Sequence, residues 1–161
     1  MRGVLALTIF GGGIAHATVA PAIRIADVAP DIPLIVVVLL ALRRGPEFGC
    51  VGGFVAGLLQ DASGGGLLGV QAMTKAVIGF GIGTVGARLR VTQPLVQVPG
   101  LVLLSVLEGL ARFTLLKLFH FPASLGELMV YVILPQALYN GFLGAALVLA
   151  LAWSESLREA R

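Results

Sequence analysis

Charge is scarce in this chain. Only 12% of its 161 residues are Asp, Glu, Lys or Arg, about half of what soluble domains carry, so an ordinary water-facing surface cannot be built around it. Cysteine is nearly absent as well. The one thiol, Cys50, lies in an apolar run, which excludes a disulfide, zinc or iron–sulfur framework within the chain and leaves packing as its expected role. The motifs of soluble catalysis are missing: no Gly-x-Ser-x-Gly elbow, no His-Glu-x-x-His, no paired His and Cys spacing. The glycine run Ser63-Gly64-Gly65-Gly66 lacks the Lys and Ser or Thr that cradle phosphate, and reads as a flexible turn with Asp61 placed to cap it through backbone amides. A net charge of +3 spread over loops shows no clustered basic face for nucleic acid. Neither catalysis, a cofactor, a metal nor nucleic-acid binding is expected.

What the chain has in abundance is apolar side chains, 58% of the total, and 22 glycines. Long apolar stretches broken by short loops that hold most of the Lys and Arg describe a polytopic membrane protein in a single domain. Six spans are expected, at about 4–23, 33–42, 48–60, 67–87, 95–118 and 128–153. The run from Leu67 to Ala87 is about 31 Å long at the helical rise, enough to cross a bilayer. Arg43-Arg44-Gly45-Pro46-Glu47 divides the stretch from Pro33 to Asp61 into two short runs, which form either two short crossing helices or a re-entrant hairpin. With the N-terminus inside, Arg2, Arg43, Arg44, Arg88, Arg90, Arg158 and Arg161 fall on the cytoplasmic side, against Arg24 and Lys117 outside. That bias favours both termini inside. Arg2, an apolar core and Ala17-Thr18-Val19-Ala20 also fit a cleaved signal peptide, although the apolar stretch is long for one.

Gly49, Gly53 and Gly57 recur every four residues on one face of the third span, and Gly79, Gly83 and Ala87 repeat the spacing in the fourth. Small residues at this interval let helix backbones approach closely, either within the bundle or against a partner's transmembrane helix. Ionisable groups at membrane depth are the next signal. Glu108 and Arg112 stand four apart on the fifth span and can neutralise each other. Lys75 has no acid within helical reach, so it must snorkel, face a polar cavity or meet an acid elsewhere, such as Glu108. His16 reads as a neutral hydrogen-bonded helix residue, and Asn140 as a group that bonds across helices.

Gly53-Phe54, Gly57-Leu58-Leu59, Asp61, Gly65 and Leu68-Gly69 together resemble the central pattern of the rod shape-determining MreD family. Pro30-Asp31, Pro46, Leu134-Pro135 and Tyr139-Asn140 follow the same family's order, so the resemblance covers roughly residues 30 to 145. It implies a non-enzymatic, multi-pass subunit of the bacterial inner membrane, in the elongasome that directs peptidoglycan biosynthesis and maintains cell shape. It also implies a six-helix arrangement similar to the substrate-binding components of energy-coupling-factor transporters, and as partners MreC, the actin-like MreB, the glycosyltransferase RodA and a class B penicillin-binding protein. On this reading the faces around Gly53, Gly57 and Gly79 accept an MreC helix, and Asp61 fixes the outer turn beside it. The rival reading is a membrane binder of a small vitamin-like molecule, with Lys75, Glu108 and Asn140 lining a pocket that opens outward. An enzyme acting on lipid-linked precursors would need an acid/base pair at a membrane surface, which the sequence does not offer.

Overall fold

The computed structural model describes residues 28–64, 67–89, 94–122 and 124–159, together with Gly11, Gly12, Ile14, Thr18, Val19, Ala22 and Ile23. The expected first span, His16 and Gly65 therefore lie wholly or largely outside the described residues. Within them the chain is helical, without strands: α1 (Ile32–Arg44), α2 (Pro46–Gly64), α3 (Val70–Leu89), α4 (Pro94–Leu118), a short α5 (Leu125–Leu128), a π-helical turn (Met129–Ile133) and α6 (Leu134–Glu159).

Local chemistry sets the ends of these helices. Asp31 caps α1, its Oδ1 accepting from the Leu34 N–H at 3.0 Å, and a proline sits in the first turn, where its missing N–H costs nothing. The helix stops at Gly45, whose φ of 93° favours glycine, and Pro46 starts α2 at once. The divided stretch 33–61 thus becomes two helices of 13 and 19 residues that fold back on each other. Helix α3, the expected fourth span, begins later than expected, at Val70 rather than Leu67, because Gly69 at φ 98° cannot belong to a right-handed helix. The last begins earlier, at Leu125, and runs through the π turn without a break. Pro135 accounts for that turn: it has no N–H for the carbonyl of Tyr131, and the ladder shifts to a five-residue step in which Leu134 N–H bonds the Met129 carbonyl.

Helices α2 and α3 pack backbone to backbone. A Cβ at Gly49 would collide with the Gly79 carbonyl, at Gly53 with the Lys75 carbonyl, and at Gly57 with the Gln71 carbonyl. The seam is antiparallel and in register, and only hydrogen-sized side chains allow it. This corrects one expectation. The face containing Gly53, Gly57 and Gly79 is consumed inside the molecule, so a partner's helix could reach it only by displacing α3. A second seam joins α4 to the last helix, where Gly109 meets Ile133, Gly141 meets Val102 and Gly144 meets Leu101.

Helix α1 lies at the centre, with Leu34, Val37 and Ala41 fully buried and α2, α3, α4 and α6 around it. The outward faces are apolar: Val51 and Phe54 on α2, Met73 and Val77 on α3, Leu103 on α4, Leu138 and Phe142 on α6. Meanwhile Asp31, Lys75, Glu108 and Asn140 are at most 1% exposed. This inverts the distribution of a water-soluble domain and suits a hydrocarbon solvent. By length and composition, the stretch Leu125–Leu147, 23 residues with a mean hydropathy of 1.4, is a candidate membrane span.

Candidate functional site

The buried polar residues converge. Lys75, one turn into α3, extends its ammonium toward α1 and α4, where Nζ donates to Asp31 Oδ2 at 2.7 Å and to Glu108 Oε1 at 3.2 Å. Its third proton goes to Gln71 Oε1, one turn back on its own helix, at 2.9 Å. An ammonium has three donors and no acceptor, so every polar contact Lys75 can make is met within the chain. The Asp31 N–H donates to Asn140 Oδ1 at 2.7 Å, and Asn140 Nδ2 donates to Ser105 Oγ at 3.0 Å. Ser105 in turn donates to the Leu101 carbonyl at 2.9 Å. One network thereby ties α1, α3, α4 and α6 at a single level of the bundle.

This geometry revises the reading of the charges. Glu108 and Arg112, expected to neutralise each other along one helix, look to different neighbours: Glu108 to Lys75, and Arg112 Nη2 to Gln136 Oε1 at 3.2 Å. The cause is Lys75, which brings a buried positive charge to Glu108 from the facing helix. Asp31, just ahead of the expected second span, is the closest counter-ion of Lys75. Lys75, Glu108 and Asn140, the residues offered to a vitamin-like ligand, are spent on one another and on Asp31, Gln71 and Ser105.

A second centre lies at the turn between α2 and α3. Asp61 is 6% exposed and follows Gly57 by one helical turn. Its Oδ2 accepts from the N–H groups of Gly69 at 2.8 Å and Ala72 at 3.2 Å, and its Oδ1 from Gln71 at 3.1 Å. The stretch Leu67-Leu68-Gly69 contains no Ser, Thr, Asp or Asn to cap α3 locally. The cap is therefore supplied from the preceding helix, and the carboxylate also meets the positive end of the α3 dipole. Gly57 makes this possible by letting the backbone of Gln71 and Ala72 come close.

The first half of α6 grips the segment leading into α1. Gln136 Nε2 donates to the Ala29 carbonyl at 3.1 Å, the Tyr139 hydroxyl donates to the Ile23 carbonyl, and Asn140 holds the Asp31 N–H. Sequence reasoning singled out Lys75, Glu108 and Asn140, named Asp31 only through its place in the family's order, and missed Gln71, Ser105 and Gln136. Only Asp31 carried a usable signal, an acid immediately before Ile-Pro at a helix start.

The family model described as rod shape-determining protein MreD matches residues 1–153. The chain matches no curated protein and no solved structure.

Proposed function

The chain belongs to the MreD family of rod shape-determining proteins, and on that premise we propose that it is a non-enzymatic, multi-pass scaffold of the bacterial cytoplasmic membrane. It holds MreC and the peptidoglycan synthases, RodA and a class B penicillin-binding protein, in register within the cell-elongation complex, with MreB on the cytoplasmic side. Six spans with both termini inside, as the loop charges favour, would expose the arginine turn at Arg43 and Arg44 to the cytoplasm.

The observation that carries the scaffold reading is the saturation of Lys75. A binder leaves donors and acceptors aimed into a cavity for its ligand, whereas here the three ammonium protons are taken by Asp31, Gln71 and Glu108. An interior braced in this way supports a rigid apolar exterior on which transmembrane partners can sit. Because the glycine seam is filled by α2 and α3 themselves, partner helices meet the outward apolar faces. In a rod-shaped bacterium depleted of its own family member, the tagged chain should restore rods and bring down MreC. A well-inserted chain that recovers no MreC, or one that retains a vitamin-like molecule through purification, overturns the proposal.

A further inference from the structure

The helices of the bundle differ in how far they rise above the buried network. Helix α3 has 20 residues, about 30 Å at the helical rise, which equals the hydrocarbon thickness of a bilayer. Its ends therefore mark the two boundaries. Lys75 follows Val70, the first residue of α3, by five, whereas Glu108, in contact with Lys75, precedes Leu118, the last residue of α4, by ten. Asn140 follows Leu125, the first residue of α5, by fifteen. The hairpin joining α4 to α6 thus overtops the start of α3 by about 7 Å at Leu118 and about 14 Å at Leu125. The headgroup layer is only about 5–7 Å deep on each side.

The top of this hairpin is apolar where water and headgroups call for polar residues. Leu118, Phe119, Phe121 and Leu125 are exposed between Lys117 and Glu127. The two phenylalanines are held in place, because the Phe121 N–H bonds the Leu116 carbonyl at 2.9 Å and the His120 N–H bonds the Lys117 carbonyl at 3.0 Å. That pairing closes α4 with His120 at φ 58°, a position usually left to glycine. Large apolar groups fixed in position above the hydrocarbon mark a protein contact, since little freedom remains to be lost when a partner arrives.

Below the tip, Tyr131, Leu134, Leu138 and Phe142 are exposed at three- and four-residue intervals along the π turn and α6. The apolar surface is therefore continuous from above the membrane down to the level of Asn140. Acyl chains can cover only its lower part. An occupant of the whole length must be apolar both within the hydrocarbon and beyond it, which describes a transmembrane helix that continues unbroken out of the bilayer.

We propose that this surface docks a single-pass partner, whose span lies along Leu134, Leu138 and Phe142 and whose continuation above the membrane packs an apolar face on Phe119 and Phe121. The inference rests on the scaffold reading above and gives it one face of the bundle, the α6 side and not the α2–α3 side.

Photocrosslinking in cells that co-express the full chain with MreC tests it, with a benzophenone amino acid placed in turn at Phe121, Leu138 and Val77. The probe at Phe121 should label MreC just outside its span and the probe at Leu138 should label the span itself, while Val77, exposed on α3, should label no MreC. Phe119→Ser combined with Phe121→Ser should lower MreC recovery about tenfold, the equivalent of withdrawing one Phe contact, with the chain still inserted and its melting little changed. Leu68→Ser, exposed on the α2–α3 turn, should leave recovery as it was. Labelling from Phe121 of lipid alone, of a second copy alone or of the chain's own residues overturns the inference, and so does full recovery by the double Ser variant. If MreC is recovered but labelled only from Val77, this inference falls and the scaffold proposal stands; if an inserted chain recovers no MreC, both fall.

Discussion

The Lys75 ammonium lies 2.7 Å from the Asp31 carboxylate although 44 positions separate them in sequence, and both side chains are fully buried. Such a pair is costly to assemble and more costly to break, because removing one partner strands the other charge away from water. Lys75→Met strands two, Asp31 and Glu108, and should destabilise the fold by about 3–5 kcal/mol. Melting in mild detergent should fall by roughly 10 °C. Asp31→Asn retains an acceptor for the Leu34 N–H and loses less. The double variant should lose less than the two singles added together, since the residues act as one unit. Strict additivity would mean that the ion pair does not hold the bundle.

Asp61 invites a different measurement. Its carboxylate accepts from three N–H groups at the start of α3, and in a hydrocarbon setting an N–H without a partner costs several kcal/mol. Asp61→Ala should therefore fray the first turn of α3 without unfolding the remainder. Hydrogen exchange read by mass spectrometry should show faster exchange in the segment 67–73, with α4 and α6 unchanged. Asp61→Asn, which retains one carbonyl oxygen but loses the charge that suits the helix dipole, should fall between. Wild-type exchange in the Ala variant would show that the cap is dispensable.

These two centres differ in how far the sequence revealed them. The segments that become helices were legible as apolar runs, and Asp61 was legible as a cap because its acceptor lies beside the turn it serves. The network around Lys75 was legible in part: a buried lysine with no acid on its own helix must find one elsewhere, and Glu108, the acid expected, is one of the two it meets. That Asp31 is the other depends on how α1 packs against α3, and no local pattern encodes that; with Glu108 turned to Lys75, Arg112 meets Gln136 instead of the Glu108 expected for it. The glycine period was plain in the sequence, but periodicity states that a backbone will be approached and not by whom. Leu67 to Gly69 read as helix because they are apolar, whereas the φ of 98° at Gly69 ends that possibility.

The α2–α3 seam predicts contrasting effects for one methyl group. Gly53→Ala places a Cβ against the Lys75 carbonyl, a backbone atom that cannot rotate away. Gly81→Ala, on the other face of α3, meets open space. The first should force the two helices apart and lower detergent stability by about 1–3 kcal/mol, as overpacking usually does. The second should be neutral or slightly stabilising, given the helix propensity gained over glycine. Similar melting temperatures for the two variants would contradict a seam closed by backbone contact. Because Gly53 also faces the helix that carries Lys75, its loss should weaken the ion-pair network more than a methyl elsewhere on α2 would.

Sidedness is the remaining test. Helices α1 and α3 end at the same level, since Gly86 packs on Leu42; in the proposed six-span arrangement Arg43, Arg44 and Arg88 would therefore share one side of the membrane, with the turn after α4 on the other. Holding three arginines on the cytoplasmic face is favoured by the membrane potential, at about 2.3 kcal/mol per charge for each 100 mV. In a Cys50→Ser background, Arg44→Cys should resist a membrane-impermeant maleimide in intact cells and react after lysis. Ser124→Cys, exposed at the start of α5, should react in intact cells. The opposite pattern would turn the arginine corner toward the periplasm, away from MreB. It would remove the orientation on which the scaffold reading depends, whereas the ion pairs and the glycine seam, being internal, would remain.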